Sequence, residues 1–485
     1  MTGPDRLPEA ARLHEEGLSL LKAGRLDEAL ERIGRALDLA STLSAPKTAQ
    51  LQNSFGAVLI ELGHAEAASA SFRIALALAP GFAAAWTNLG SAAASAPAHL
   101  RALALAPFAA DAHANLGALE QRRGRSEAAL RRYTAAVTLA PADPRVWSNL
   151  GSVRYWAGRL DLAGQAFERA LALDPGFADA RFHRGLLRLL LGDYAGGFAD
   201  YEERRKRRSG IVRLNRAIPG WAGEDPAGKR LLVWGEQGLG DTIHFARFVP
   251  LLTARGAEAT LAAPGRLVSL LRTLGDVERV QSFEAPLPAV DLQAPLMSLP
   301  HLLGLGAAAA APLAPYLASP TAPAAFVADG RPRIGLVWAG SPTNESDAWR
   351  SLALARLSPL LALKGPRFVS LQVGPRAADV AAAGLAGRLE TPEDLDDFAD
   401  TAALVAGLDL VVTVDTAVAH LAGAMGKEAW VMLSHVPDWR WGMKGETTPW
   451  YPSLRLFRQK SPGDWDGVVR RIADALAARF PGAGG

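Results

Sequence analysis

The chain has 485 residues, 49% of them apolar, enough for two or three domains with sizeable cores. Fifty-two basic residues against 49 acidic leave a formal charge of +3, too small an excess for a general nucleic-acid binder. There is no cysteine, which excludes disulfides and thiolate metal sites and fits a reducing cytoplasm. The start Met1-Thr-Gly-Pro-Asp-Arg lacks the basic and apolar regions of a secretion signal. The longest Ala-rich run, residues 302–328, is broken by Pro312, Pro315, Pro320 and Pro323, so it reads as a linker and no membrane insertion is expected.

Residues 10–208 read as a helical repeat array. Gly17, Gly56, Gly90, Gly117, Gly151 and Gly185 occupy one equivalent position, spaced by 39, 34, 27, 34 and 34 residues. Twelve residues after most of them stands an alanine (Ala29, Ala68, Ala129, Ala163). Sixteen after stands a large side chain (Ile33, Phe72, Tyr133, Phe167, Tyr201), and nineteen after a second alanine (Ala36, Ala75, Ala136, Ala170). Small residues let paired helices approach and the bulky one fills the space between them. The third unit is seven residues short, so its helix pair should be irregular, and the first spacing is five too long. The pattern resembles the tetratricopeptide repeat, whose arrays present a concave binding face. Asn88, Asn115 and Asn149 each lie two residues before a marker glycine. Stacked repeats would set these carboxamides in a row able to donate to and accept from an extended peptide, or simply to bridge neighbouring helices. The same asparagine ladder appears in the repeats of protein O-GlcNAc transferases, which this region resembles. The array ends in the basic run Arg204-Arg-Lys-Arg-Arg208, expected as a solvated helix end. Residues 209–227 form a connector.

From residue 228 strands and helices alternate, the pattern of parallel sheets covered on both faces. Strands are expected at Leu231–Trp234, Ala259–Ala262 and Val277–Val280 in a lobe over residues 228–325. More are expected from Arg333, then at Phe368–Gln372, Leu410–Val414 and Ala429–Leu433, in a second lobe over residues 326–482. Helices are expected near 355–364, 376–386, 395–406, 417–425 and 465–479. The fold class is thus α plus α/β: a tetratricopeptide superhelix followed by two Rossmann-like lobes.

Two strand-to-helix turns carry the chemistry. In the first, Gly235, Gly238 and Gly240 follow a buried strand, and Asp241 stands as N-cap of the next helix. In the second, Asp415-Thr416-Ala417 opens a helix of small residues through His420, Leu421, Ala422 and Gly423, whose N–H groups suit a diphosphate. Gly238-Leu-Gly-Asp-Thr-Ile-His244 followed by Asp415-Thr-Ala-Val-Ala-His-Leu-Ala-Gly-Ala424 resembles the heptosyltransferase-type glycosyltransferases of GT-B fold (family 9). The fusion to a repeat array, over residues 10–480, is similar to bacterial protein glycosyltransferases, including soluble enzymes that modify flagellin. The resemblance implies inverting, metal-independent transfer from a nucleotide-activated sugar, with no other cofactor. Asp241 would be the general base; Asp415, Thr416, Ala417 and His420–Gly423 would line the donor's diphosphate and sugar.

An acceptor hydroxyl needs a carboxylate or imidazole to take its proton. Glu236 and His244 lie near enough in sequence to compete with Asp241. Arg350 is a candidate for the leaving diphosphate, at a place where the related enzymes usually have lysine. Gln372, Trp338, Gly340 and the turn glycines Gly238 and Gly240 complete the expected donor site. Pro437-Asp-Trp-Arg-Trp441 is the expected place for sugar stacking. No P-loop or His pair with metal spacing is present, and Asp394-Leu-Asp396 reads as helix-start acids rather than as a metal site. The resemblance implies a cytoplasmic transferase acting on Ser or Thr of a protein acceptor, flagellin first. A glycan or lipopolysaccharide acceptor and a non-catalytic repeat scaffold are the alternatives.

Overall fold

The structure is a computed structural model that describes residues 6–39, 44–206, 217–236, 238–311, 315–326, 329–344, 347–385, 387–392 and 395–481. The chain divides into two compact units, residues 1–180 and 181–485.

The first unit is helical. Helices α1 (Arg6–Lys22) and α2 (Leu26–Asp38), α3 (Ala45–Glu61) and α4 (Ala65–Leu78), α5 (Ala83–Ala92) and α6 (Ala96–Leu105), α7 (Ala110–Arg122) and α8 (Ser126–Leu139), and α9 (Pro144–Trp156) and α10 (Leu160–Leu173) are successive hairpins. The marker glycines are where the paired helices touch. A Cβ on Gly17 would stand 2.4 Å from Ile33 Cγ1, one on Gly56 2.5 Å from the Phe72 ring, and one on Gly151 2.4 Å from the Phe167 ring. In the short third hairpin α5 and α6 are three and four residues shorter than α7 and α8. The bulky partner there is His99, nine rather than sixteen residues after Gly90, its ring 2.6 Å from the Cβ position. The seven missing residues thus come out of both helices and leave the interlock in place. The long first spacing reflects a longer connection before α3 and a longer α3.

Seven residues after the marker the turn between paired helices needs a left-handed residue, supplied by Gly24, Gly63, Gly124 and Gly158. In the short unit the turn comes four residues after the marker, and Ala94 occupies the left-handed position at φ 47°.

The second unit opens with the end of α11 (Ala178–Leu190), α12 (Tyr194–Tyr201) and a 3₁₀ turn, Glu202–Lys206. The compact unit therefore takes in the last repeat-like helices, where the repeat pattern alone runs on to 208. Two all-parallel sheets follow. The first has β1 (Arg230–Trp234), β2 (Glu258–Ala263), β3 (Arg279–Ser282) and β4 (Leu292–Pro295) in the order β3-β2-β1-β4. The second has β5 (Arg333–Val337), β6 (Arg367–Ser370), β7 (Leu389–Glu390), β8 (Leu410–Val414), β9 (Ala429–Leu433) and β10 (Leu454–Arg458) in the order β10-β9-β8-β5-β6-β7. In each, the chain adds strands to one side of its first strand and then returns to the other, the order of a doubly wound sheet. Ligands of such sheets sit beyond the carboxyl ends of the two strands flanking the reversal. These are β1 and β4 in the first sheet and β5 and β8 in the second. The second sheet is covered by the Trp465–Arg479 helix, with Val468, Ile472 and Leu476 against Ile334, Leu336, Val412 and Met432.

Several expected elements are displaced. Strand β3 begins two residues late, and β4, β7 and β10 were not expected. The helix expected at 376–386 is a 3₁₀ turn, Pro375–Ala378, followed by Asp379–Ala382. The proline-rich segment past 315 is tied to the second sheet's helices: Tyr316 N and Leu317 N donate to Ala424 O, and Ala324 N to Ala403 O. Asp394 lies outside the described residues. The helix after it opens at Phe398, capped by Asp397, whose carboxylate accepts from Ala399 N and Asp400 N.

Candidate functional site

The glycine turn after β1 leads into α13 (Leu239–Ala246). The helix begins earlier than its sequence suggests. Gly238 is the N-cap, with no side-chain bond to the first turn, and Asp241 is the third helical residue rather than the cap. The helix after β8, Ala417–Ala424, likewise has Thr416 as an N-cap that makes no side-chain capping bond. Thr416 Oγ1 instead pairs with Thr413 Oγ1 at 3.0 Å. Asp415 therefore does not cap that helix, and neither N-cap residue, Gly238 or Thr416, makes a side-chain capping bond. The two starts meet: a Cβ on Gly240 would stand 3.0 Å from His420 Cδ2, 3.2 Å from Ala417 Cα and 3.5 Å from Ala417 N. Glycine at 240 and alanine at 417 are what let the two backbones approach.

Around this crossing the structure gathers Asp241, Asp415, Asp438, Arg350 and Arg440. Arg440 Nη2 donates to Asp241 Oδ1 at 2.5 Å and Nη1 to Asp438 Oδ1 at 2.8 Å. Asp241 keeps 26% of its side chain exposed. Burial raises its carboxyl above the ordinary range, with Arg440 pulling the other way and Asp438 adding to the rise. Asp415 is pushed up to about 6 by burial and by the charge of Asp438, against Arg350 and Arg440. Arg350 lies over Gly340: a Cβ there would be 2.7 Å from its Nη2. Both Gly340, past the end of β5, and Asp415, past the end of β8, belong to the second sheet's reversal point.

Other predicted residues are placed differently. Glu236 is sealed in an ion pair: Oε2 accepts from Arg204 Nη2 at 2.6 Å and from Met297 N at 3.1 Å. Arg204 itself is 1% exposed, contrary to the expected solvated helix end, and also reaches Ser298 Oγ and Glu202. This ion pair fills the reversal point of the first sheet, between the ends of β1 and β4. His244 is fully buried, its Nδ1 2.9 Å from Tyr451 Oη, and His420 Nδ1 is 3.1 Å from the same hydroxyl. One hydroxyl hydrogen serves only one of these nitrogens, so the other imidazole carries its proton on Nδ1. Burial, with Arg247 and Arg440 nearby, holds both histidines well below their usual range, hence neutral at pH 7. Glu236 and His244 thus have no open face from which to take an acceptor's proton.

Gln372 is spent on the backbone: Oε1 accepts from Trp338 N and Ala339 N, and Nε2 donates to Ala339 O and Val373 O. It fixes the turn after β5 rather than facing open space. Trp338 is a core residue, with Nε1 on Asp379 Oδ2 at 3.0 Å. Leu421 and Ala422 are fully buried, and Gly423 makes room for the Tyr451 ring, 2.4 Å from its Cβ position. All three are packing positions. Trp439, Trp441 and Trp450 are buried as well, Trp441 stacked on His420 at 5.3 Å and 16°. Arg440 and Tyr451 carry no signal in the sequence because their partners Asp241 and His244 stand 199 and 207 residues away, and Asp438 enters the site through its neighbour Arg440.

In the helical unit Asn88, Asn115 and Asn149 lie on α5, α7 and α9, the first helices of consecutive hairpins, and none is buried. Asn88 Nδ2 donates to Asn53 Oδ1 on α3 at 2.9 Å, a bridge between adjacent hairpins.

Residues 114–176 and 157–209 match the tetratricopeptide repeat family model. The N-terminal part of the chain is a tetratricopeptide-repeat superhelix, and a region of parallel-strand sheets follows it. The protein FlbA of Caulobacter vibrioides is 32% identical over 335 residues, covering 61% of this chain and 54% of that protein. The chain thus spans about half the length of the curated relative it matches. Among solved structures, the thermophilic tetratricopeptide protein TTC0263 of Thermus thermophilus is 21% identical over 37% of this chain and 99% of its own, with a TM-score of 0.34. YrrB, described as a repeat protein with an unusual peptide-binding site, is 19% identical over 35% of this chain and 88% of its own, with a TM-score of 0.27. Among the described residues no helix is long and apolar enough to cross a membrane.

Proposed function

We propose that the α/β unit is an inverting glycosyltransferase of GT-B type. It would move a sugar from a nucleotide-sugar to a Ser or Thr hydroxyl of a protein that the repeats recruit, with flagellin the first acceptor to test. The observation that carries this reading is the meeting of two uncapped helix starts, Gly238–Asp241 and Thr416–Ala417, beside a partly exposed carboxylate. In this reading Asp241 takes the hydroxyl proton as the oxygen attacks the anomeric carbon. The sugar–phosphate bond breaks with inversion, and the nucleotide leaves carrying the electron pair. Arg350 and the N–H groups at the start of the Ala417–Ala424 helix suit that anion. Asp415 and Thr416 line the same edge. The accessibility of the half-buried Asn88 and Asn115 and the exposed Asn149 supports an extended peptide as the acceptor.

Titration of the full-length protein with UDP, GDP and CMP by calorimetry tests the donor half. One nucleotide should bind with Kd below about 100 μM, and Arg350→Ala should weaken it about tenfold, near 1.4 kcal/mol. Absence of binding by all three contradicts the reading.

A further inference from the structure

Arg440 belongs to the short turn Trp439–Trp441 that follows β9, whereas Asp241 belongs to the helix that follows β1. The guanidinium is held through both terminal nitrogens and between aromatic rings, while its buried Nε has no hydrogen-bond partner among the described residues. Its Nη1 and backbone N both bond Asp438 Oδ1, and its Cζ lies 4.5 Å from the Trp439 ring centre and 5.4 Å from that of Phe245. Thr448 Oγ1 donates to its carbonyl. Only 5% of its side chain is exposed. A side chain so fixed has one orientation to offer, and it offers Nη2 to one oxygen of Asp241. The other oxygen, Oδ2, stands 3.5 Å from where a Cβ on Gly238 would be, over a turn that glycine leaves open.

We infer that Arg440 is a positioning residue for the transfer step: it grips Asp241 by Oδ1 and thereby presents Oδ2 to the acceptor hydroxyl. This rests on the reading of Asp241 as the base. Guanidinium keeps its proton, so Arg440 cannot replace Asp241 as acceptor. Its charge would by itself make Asp241 a poorer base. Burial and the carboxylate of Asp438 oppose that, while Arg350 and the buried Tyr201 hydroxyl are the other ionisable groups acting on or with Asp241. Geometry is gained from the arginine, and basicity is kept by its neighbours.

The test uses purified full-length protein, flagellin from a strain lacking the gene, and the deproteinised small-molecule extract of the same strain as donor source. Rates are read by intact mass between pH 5.5 and 9. Arg440→Met should slow transfer at least ~100-fold, the scale of a misplaced catalytic group. Losing the cation should also move the acid limb of the rate upward by about one pH unit. Arg440→Lys should recover at least ~tenfold of the loss. In an Asp241→Asn background, Arg440→Met should cost less than about threefold more, because both act through one carboxylate. Arg440→Gln stands in if the methionine variant does not fold. A wild-type rate and acid limb in Arg440→Met would overturn the inference. So would an equal loss in the Asp241→Asn background, or a change confined to the amount of extract needed for half-maximal rate. Transfer that fails with the wild-type protein would remove the transferase reading itself, a result distinct from these.

Discussion

Gly240 and His420 come from helices that follow different sheets, yet a single added methyl would bring them to 3.0 Å. Ala417 Cα, backbone that cannot swing aside, would be 3.2 Å away. Gly240→Ala should therefore cost about 1–3 kcal/mol by overpacking. Gly238→Ala, whose Cβ meets only Asp241 Oδ2 at 3.5 Å and whose φ is −54°, should cost under about 0.5 kcal/mol. Thermal melts of the two variants check the contrast, and equal effects would contradict the close crossing.

Arg204 and Glu236 form a pair whose side chains are 1% and 0% exposed. Removing one partner leaves the other charge stranded, at roughly 3–5 kcal/mol. Arg204→Met should show that loss in denaturant unfolding, and adding Glu236→Gln should recover part of it. An unchanged midpoint in the single variant would contradict the buried pair.

Much of this was legible in the sequence, and the misses have physical causes. The repeat was readable because Gly56 and Phe72, or Gly151 and Phe167, must interlock, which fixes residue types at fixed spacing. Strands β1, β5, β8 and β9 were readable as buried apolar runs. Strand β10 (Leu454–Arg458) is an edge strand broken by Arg455 and Arg458, β7 has two residues, and β4 contains Gln293; none makes such a run. The place of Asp241 at the start of the helix after β1 was readable from its glycine turn, but as the N-cap rather than the third helical residue it is. Arg440 was not, because its partner is 199 residues away along the chain. Arg204 sits in a basic run of the kind that usually faces water, and only the fold shows Glu236 and Ser298 waiting for it.

Ala94 takes the left-handed turn position that glycine fills in the neighbouring repeats. A side chain there costs about 1–2 kcal/mol, and glycine's extra freedom in the unfolded chain offsets part of the gain. Ala94→Gly should stabilise the protein by about 0.5–1 kcal/mol, and Gly124→Ala, at φ 73°, should destabilise it by a similar amount. Melting temperatures moving in the same direction for both would contradict this.

Asp415 carries a carboxyl pushed up to about 6, above its unfolded value of 3.8. Folding then favours the protonated acid. The associated stability is fully present below pH 3.8 and is lost as pH rises through about 6. Asp415→Asn, which mimics the neutral acid, should raise stability at pH 8 by of order 1–3 kcal/mol and do little at pH 4. Denaturation midpoints at the two pH values check the sign, and a larger gain at pH 4 would contradict it.

The most direct measurement is the intact mass of flagellin from cells carrying the wild-type protein, Asp241→Asn, or no protein. Flagellin should be heavier by one or more sugar residues with the wild type, and sugar-free or nearly so with Asp241→Asn, since loss of the base costs roughly 10²–10⁴-fold. Equal flagellin masses in all three strains would contradict flagellin as acceptor, and wild-type modification in the Asp241→Asn strain would remove Asp241 as the base.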